Sequence, residues 1–479
     1  MSIDLFGSLP LVVIWLALGV IGVVIQAFVK ENGTKLVFGY YVGTLVVTAL
    51  LAMLTYSHHG TTFNGMITLG GTASVFDVLF CGAGVMTLLA AQPYLNRWGN
   101  ELDEFYTMLV SSVAGMMLMA HARNLVVLFV GIELMSISFY IMAGFFRQRE
   151  RSVEAALKYF LLGAFATGFL VYGMALLYGA TGSLAYESIA SVVLSGTARY
   201  PALLALGSIL LTVGLSFKIA AFPFHQWAPD VYEGSPTVVT AFMSTAGKAA
   251  AFSAFISIFV VLMPMMQGVP LNGTLQLAIA VISAVTMLIG NITAVAQTNV
   301  KRMLAYSSVA HAGYMLMGIV AGPQYGHSAI IFYAAVYMFM QLGAFVVVGL
   351  LEREDEASLT LNDYAGLHKK HPVLAGIMAI FMFSLAGIPP FAGFFGKYML
   401  FYAAVQGGFT WLTIVAVASS VISVWFYLGL IVKMYFNDPV GETHEAGSGL
   451  AGISLAVCTV AVVVLGLLPR LLTSVVGGW

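Results

Sequence analysis

Apolar runs of about twenty residues recur along this 479-residue chain, the length an α-helix needs to cross the ~30 Å hydrocarbon core of a bilayer. In lipid every backbone N–H and C=O must be satisfied within the protein, so runs of this kind fold as helices rather than open sheet. Taken in order they give fourteen candidate spans, at 9–29, 36–56, 74–93, 104–120, 124–146, 154–179, 201–227, 234–263, 272–296, 301–321, 327–351, 372–404, 409–434 and 449–469. The predicted fold class is therefore an all-α polytopic membrane protein. With 60% hydrophobic and 8% charged residues, the chain stands far from the roughly 25% charged balance of soluble domains. The first run follows Asp4 rather than a basic segment and has no small-residue cleavage site at its end, so it reads as a retained helix. Cys81 and Cys458 lie far apart without a CxxC or Cys/His cluster, which indicates neither a disulfide framework, an iron–sulfur site nor haem attachment.

The basic residues test the span count independently. With the N-terminus outside, the inner loops and helix ends collect Lys30, Lys35, Arg97, Arg147, Arg149, Arg151, Lys301, Arg302, Arg353, Lys369, Lys370 and Lys433. The outer side receives only Arg123, Arg199 and Arg470. This is the asymmetry of the positive-inside rule, and it predicts both termini on the outer side.

Of the ionisable residues inside the spans, five are the leading candidates: Glu133, Lys158, Lys218, Lys248 and Lys397. A charge at mid-membrane costs roughly 2.5–3.5 kcal/mol on insertion scales, so their retention points to a proton or ion pathway. Each also has a structural reading. Lys158 follows Glu154 by four residues, which allows an ordinary i, i+4 ion pair near the inner surface. Lys397 can reach toward the outer interface, and Glu133 can serve as the partner of a lysine. His225 and His311 join the candidates more weakly, since a single buried histidine is more often hydrogen-bonded structure. His225 stands seven residues from Lys218, on one helical face.

Two spans are too long for one crossing. As continuous helices, 201–227 and 372–404 would measure about 40 and 50 Å, and each is interrupted by proline. Pro223 would release the carbonyl of Ile219, and Pro389 and Pro390 those of Leu385 and Ala386. Freed carbonyls at membrane depth occur where protein buries them or water fills a cavity, the broken-helix pattern of transporters, although a simple proline kink is the alternative. The two breaks occupy the fourth helix of spans 4–8 and of spans 9–13. Blocks of five helices enter the membrane from opposite sides, which predicts an inverted repeat. The organisation expected is spans 1–3 in residues 1–95, the first repeat in 96–265, the second in 266–436, and the last span in 437–479.

Burial favours a neutral amine and a nearby carboxylate favours the ammonium, so a small movement of a lysine–glutamate pair loads or discharges a proton. Glu133 with Lys218 is the expected switch pair, Lys248 the central relay and Lys397 the terminal station. No Walker A pattern, dinucleotide-binding GxGxxG context or metal-ligand cluster supplies an engine. The driving force is expected from an ion gradient or a partner protein.

The stretch FKIAAFPFHQWAPDVYEGSPTVVTAF with Gly247–Lys248, QTNVKRMLAYSSVAHAGYMLMG at 297–318 and FSLAGIPPFAGFFGKY at 383–398 resemble the signatures of a known family. It comprises the antiporter-like membrane subunits of respiratory complex I and of multisubunit cation/proton antiporters. Together with NELDEFYTMLV at 100–110, GIELMSISFY at 131–140 and RSVEAALKYFLLGAFATGFLVYG at 151–173, the pattern looks most like the subunit N group. The resemblance covers roughly residues 95–435. It implies a proton channel with its glutamate at Glu133 and its lysines at Lys218, Lys248 and Lys397. It also implies no cofactor in this chain, with NADH, FMN, iron–sulfur clusters and quinone held by partner subunits. The expected partners are other membrane-arm subunits, two of them antiporter-like, and the lipid of a bacterial inner membrane, with no nucleic acid. A component of a sodium or potassium/proton antiporter, or a structural scaffold, are the other readings.

Overall fold

Packing sorts the predicted helices into a buried axis and a lipid-facing shell. The computed structural model describes residues 4, 6–28, 34–99, 103–262, 270–352, 360–439 and 449–476. Lys30, Arg353 and the proposed boundary at 265/266 lie outside the described residues. The chain begins with α1 (Leu9–Leu16), a π turn at Ala17–Gly22, α2 (Val23–Phe28) and α3 (Thr34–Leu54). A short antiparallel hairpin, β1 (Gly60–Thr62) and β2 (Ile67–Leu69), leads to α4 (Gly71–Arg97). Next come α5 (Asp103–His121), α6 (Leu125–Ala143), α7 (Glu150–Thr181), α8 (Tyr186–Ser195), α9 (Pro201–Lys218) and α10 (Trp227–Gly234). A π turn at Met243–Gly247 joins α11 (Thr237–Phe242) to α12 (Lys248–Leu262). The second half holds α13 (Pro270–Val295), α14 (Val300–Ala321), α15 (Pro323–Leu351), α16 (Leu367–Lys370), α17 (Pro372–Ala386), α18 (Ala392–Gln406), α19 (Thr410–Phe436), α20 (Gly449–Leu467) and α21 (Arg470–Val476).

Among the described residues eleven helices are long and apolar enough to cross a membrane. The other three predicted stretches are also helical: 9–29 contains the first π turn, 104–120 is α5, and 372–404 is split into α17 and α18. The helix α8 was not among the predicted spans; it lays Tyr186, Ile189 and Val193 against the bundle.

The axis is formed by α11–α12, α14 and α15, whose most apolar windows are 94%, 94% and 89% buried. The shell includes α7, α19 and α20, which present Phe165, Trp425 and Val460 outward. Apolar side chains facing lipid gain nothing by packing together, so the helices meet instead through small residues that admit backbone contact. On α7 and α9 the contact is reciprocal: a Cβ at Gly173 would lie 2.7 Å from the Leu211 nitrogen, and one at Gly207 would lie 3.0 Å from the Gly173 carbonyl. On α5 and α6, Gly115 and Gly131 approach each other in the same way. These contacts fix α6, α7 and α9, the helices that carry Glu133, Lys158 and Lys218.

Both proline breaks are present. The first falls earlier than predicted: α9 stops at Lys218, and residues 219–226 form turns before α10. Ala220, fully buried, adopts the left-handed conformation there (φ 57°). The seven-residue spacing of Lys218 and His225 therefore does not put them on one helical face, because helix does not join them. In the second break α17 ends at Ala386 and Gly387, at φ 85°, turns the chain toward Pro389 and Pro390.

The glycine contacts predict a contrast along α7. Gly173→Ala should destabilise by about 1–3 kcal/mol, because backbone must move to admit one methyl. Gly168→Ala, with nothing within 4 Å of its added Cβ, should change stability by about 0.5 kcal/mol or less. Thermal denaturation of the two purified variants would read the difference, and equal midpoints would contradict it.

Candidate functional site

Three lysines and one histidine occupy the buried axis or its edge: Lys218 is 8% exposed, Lys248 2%, Lys397 4% and His311 1%. Each is held by neutral groups. Lys218 is the last residue of α9, where the helix dipole favours a cation, and its Nζ donates to Ser136 Oγ on α6 at 2.8 Å. Lys248 opens α12 directly after the π turn and donates to both the carbonyl and the hydroxyl of Ser308 on α14, each at 2.5 Å. Such π turns recur at functional sites, and no spacing in the sequence announces this one.

Lys397, on α18, donates to the carbonyl of Ala386 at 3.0 Å and to Ser420 Oγ on α19 at 2.9 Å. The released Ala386 carbonyl expected from Pro390 is thus taken up by the lysine of the same broken span. Gly387 leaves room for that lysine stem, since a Cβ there would lie 2.9 Å from Lys397 Cδ. The ammonium also stands 5.0 Å from the ring centre of Tyr314, a cation–π contact.

These groups line up on α14. Ser308 bonds Lys248, His311 follows one turn on, and Tyr314 meets Lys397 after another, a total rise of about 9 Å. His311 Nδ1 lies 2.5 Å from the Tyr333 hydroxyl on α15, and Nε2 lies 3.1 Å from that of Tyr427 on α19. Tyr427 bonds Ser307 in turn. Hydroxyls both donate and accept, so each nitrogen of a neutral or charged imidazole finds a partner. Tyr333 and Tyr427 were not among the sequence candidates, because tyrosines are common among the apolar runs.

Glu133 and Lys218 do not form the expected direct ion pair. Half-buried Glu133 accepts a bond from Thr167 Oγ1 on α7 at 2.8 Å, and Ser136, one turn along α6, takes the lysine instead. His225 is half-buried, with Nδ1 unbonded and its ring beside Phe222. It joins none of the lysines by a hydrogen bond in the described structure.

Lys158 belongs elsewhere. Its side chain is 41% exposed and bonds Glu154 at 2.7 Å, the i, i+4 pair, together with Asp230 at 2.9 Å. Asp230 also binds Arg302, which bonds Glu233. Burial tends to raise the Asp230 carboxyl, but the hydrogen bonds and charges of Lys158 and Arg302 hold it below its ordinary value of 3.8. It is a fixed anion at neutral pH. Lys301, expected at an inner helix end, is 7% exposed and donates to the Ser235 carbonyl at the end of α10.

Among the described residues no group of three or more His, Cys, Asp or Glu side chains could hold a metal ion. A family described as NADH:quinone oxidoreductase/Mrp antiporter, transmembrane, matches residues 122–423. NADH-quinone oxidoreductase subunit N of Chloroflexus aggregans is 42% identical over 475 residues, covering 98% of this chain and 95% of that protein. In a solved structure of respiratory complex I from Thermus thermophilus, one chain is 34% identical with a TM-score of 0.82, covering 98% of this chain and 99% of its own length. A chain of the Mrp complex from Dietzia shares the fold alone, at 21% identity and a TM-score of 0.81, covering 98% and 95%. The chain is thus a multi-pass membrane protein that belongs to the subunit N group of the NADH:quinone oxidoreductase/Mrp antiporter family.

Proposed function

We propose that this chain is the proton-translocating subunit of an NADH:quinone oxidoreductase, moving protons through Glu133, Lys218, Lys248, His311 and Lys397. The observation that carries this reading is the polar face of α14, on which Ser308, His311 and Tyr314 lead from Lys248 to Lys397 with no carboxylate bonded to them among the described residues. Between Lys248 and Lys397 one proton passes from the Lys248 ammonium to neutral His311, leaving an amine, and then from the imidazolium to a neutral Lys397 amine, restoring the imidazole. Redox chemistry in other subunits, which hold the NADH, FMN, iron–sulfur clusters and quinone, drives it. Those partners include two further antiporter-like subunits, and both termini of this chain lie on the outer side of the bacterial inner membrane. Lys158 and His225 stand outside the relay, Lys158 as part of an ion-pair clamp.

We infer that residues 96–265 and 266–436 form an inverted repeat, a reading supported by matching positions in the two halves. Asn124 caps α6 by accepting from the Val126 N–H, and Asn299 caps α14 by accepting from the Arg302 N–H. Each cap asparagine also makes an isolated antiparallel bridge, to Ala185 and to Thr360. Glu133 and Ser308 both lie nine residues beyond their cap, and Ser136 and His311 both lie twelve beyond. The same two registers therefore carry the polar groups in each half.

In the assembled complex, Glu133→Ala should lower protons pumped per NADH oxidised by at least about twofold. Undiminished pumping with normal assembly would sink the relay. Sodium- or potassium-dependent transport after reconstitution would favour the cation-antiporter reading instead. Tyr333→Phe or Tyr427→Phe alone should cost about twofold, since His311 keeps one hydroxyl, while the double variant should lose about tenfold. Additive losses would argue that the tyrosines do not act through the histidine. The Asp230 clamp makes a third expectation. A depressed carboxyl contributes stability that is present above pH 3.8 and lost only as pH falls below it. Asp230→Asn should therefore weaken thermal stability equally at pH 6 and 8, and a pH-dependent difference between 6 and 8 would refute the fixed-anion assignment.

A further inference from the structure

A buried acid–base pair lies outside the relay. Asp77 on α4 is fully buried, and its Oδ2 lies 2.8 Å from His121 Nε2 at the end of α5. His121 Nδ1 lies 2.7 Å from the Thr68 carbonyl, which can only accept, so Nδ1 carries a hydrogen. When the pair is neutral overall, one proton is left for the Asp77–His121 bond, and it sits on either the carboxylate or Nε2. Asp77 Oδ1 has no hydrogen-bond partner among the described residues and no contact with solvent. An orphaned carboxylate oxygen deep in a helix bundle is unusual, because buried polar atoms are normally satisfied.

A cavity of about 650 Å³ adjoins this pair. Thr68, whose carbonyl holds His121, lines it, as do Ala73 and Phe76 just before Asp77 and Ala120 and Ala122 on either side of His121. At its mouth Arg123 pairs with Glu187, whose side chain is 79% exposed. At depth it reaches Ser257 and Ser253 of α12, and Ser253 is 2% exposed. Ser253 stands five residues beyond Lys248, a rise of about 7.5 Å along the same helix. The cavity thus runs from an exposed ion pair to the helix that begins with Lys248, and α4 itself packs against the π turn preceding that lysine.

We propose that this cavity and the Asp77–His121 pair form an outward-facing proton port, separate from the route that ends at Lys397. The pair exchanges one proton at a time: a proton arriving at Asp77 Oδ1 from the inner side leaves the shared proton on His121 Nε2, the imidazolium gives up its Nδ1 proton past the Thr68 carbonyl into the cavity that Thr68 lines, and the pair returns to its starting charge. Cys81 also faces Asp77 on α4, and His59, His327, Arg123, Tyr186 and Glu187 are the other titratable or charged groups lining the port. The proposal rests on the proton-translocating reading above.

The test uses the intact complex in oriented membrane vesicles. Ser257→Cys is treated with a charged, membrane-impermeant thiol reagent from each side, and the mass of this chain is read. Cys81 and Cys458 are both buried, which keeps its background low. Modification from the outer side only is expected; protection from that side, or modification from the inner side, overturns the port. In parallel, Asp77→Asn should reduce protons pumped per NADH by at least twofold, and Asp77→Glu should restore most of that loss. Normal pumping by assembled Asp77→Asn, with Glu133→Ala defective, removes the port and leaves the relay standing. Normal pumping by Glu133→Ala removes the relay itself. If Asp77→Asn does not assemble, the accessibility of Ser257→Cys decides alone.

Discussion

The bond from the Lys397 ammonium to the Ala386 carbonyl joins two features that hydrocarbon would otherwise forbid. A helix broken at membrane depth exposes a carbonyl, and an unmade hydrogen bond there costs about 1–3 kcal/mol. A lysine at the same depth costs roughly 2.5–3.5 kcal/mol without a partner. Each supplies what the other lacks. The first broken helix follows the same logic, since Lys218 is the terminal residue of α9 and sits where the partial negative charge of the helix end is greatest. In both broken spans the ammonium therefore lies at the C-terminal end of the first half-helix.

A consequence is that these cations are held by dipoles and hydroxyls rather than by carboxylates. Breaking a buried ion pair by removing one partner costs several kcal/mol, so a proton held by such a pair is trapped. A hydroxyl or carbonyl contributes closer to 1 kcal/mol, which lets an ammonium discharge and recharge without a large barrier. The cluster of Lys158, Glu154, Asp230, Arg302 and Glu233 shows the opposite design. There four charges bracket Asp230 or its partners at 2.7–2.9 Å, and the carboxyl is held in one state. In the proposed relay the same residue type would serve transfer where its partners are neutral, while it serves fastening where they are charged.

Much of this architecture was legible in the sequence because hydrocarbon imposes simple rules. Run length located the helices, prolines within overlong spans located the breaks, and ionisable residues in apolar runs picked out Lys218, Lys248 and Lys397. What escaped was set by side-chain direction and by backbone register. The π turn before Lys248 leaves no mark in composition. Helix periodicity linked Lys218 to His225, but a chain that leaves the helix at residue 219 no longer obeys it. Lys158 looked buried because its neighbours are apolar, yet its own stem reaches the ion-pair cluster at the helix edge. Asp77 lay inside a predicted span and was passed over with His121, since pairing between α4 and α5 depends on tertiary contact.

The arrangement of α6 suggests how little motion a switch in the proposed relay requires. Lys218 bonds Ser136, while Glu133, three residues earlier on the same helix, is occupied by Thr167. The two acceptors are one turn apart, separated by about 4.5 Å of axial rise. A lysine stem has four rotatable carbons, so its ammonium can exchange the hydroxyl for the carboxylate while α6 and α9 stay in place. The rigid glycine contacts between α5 and α6 and between α7 and α9 favour this side-chain exchange over helix sliding. Input from a partner subunit then needs only to change whether Thr167 or Lys218 satisfies Glu133. That choice sets whether Lys218 is held by a charge or by a hydroxyl, and so whether its proton is kept or passed on.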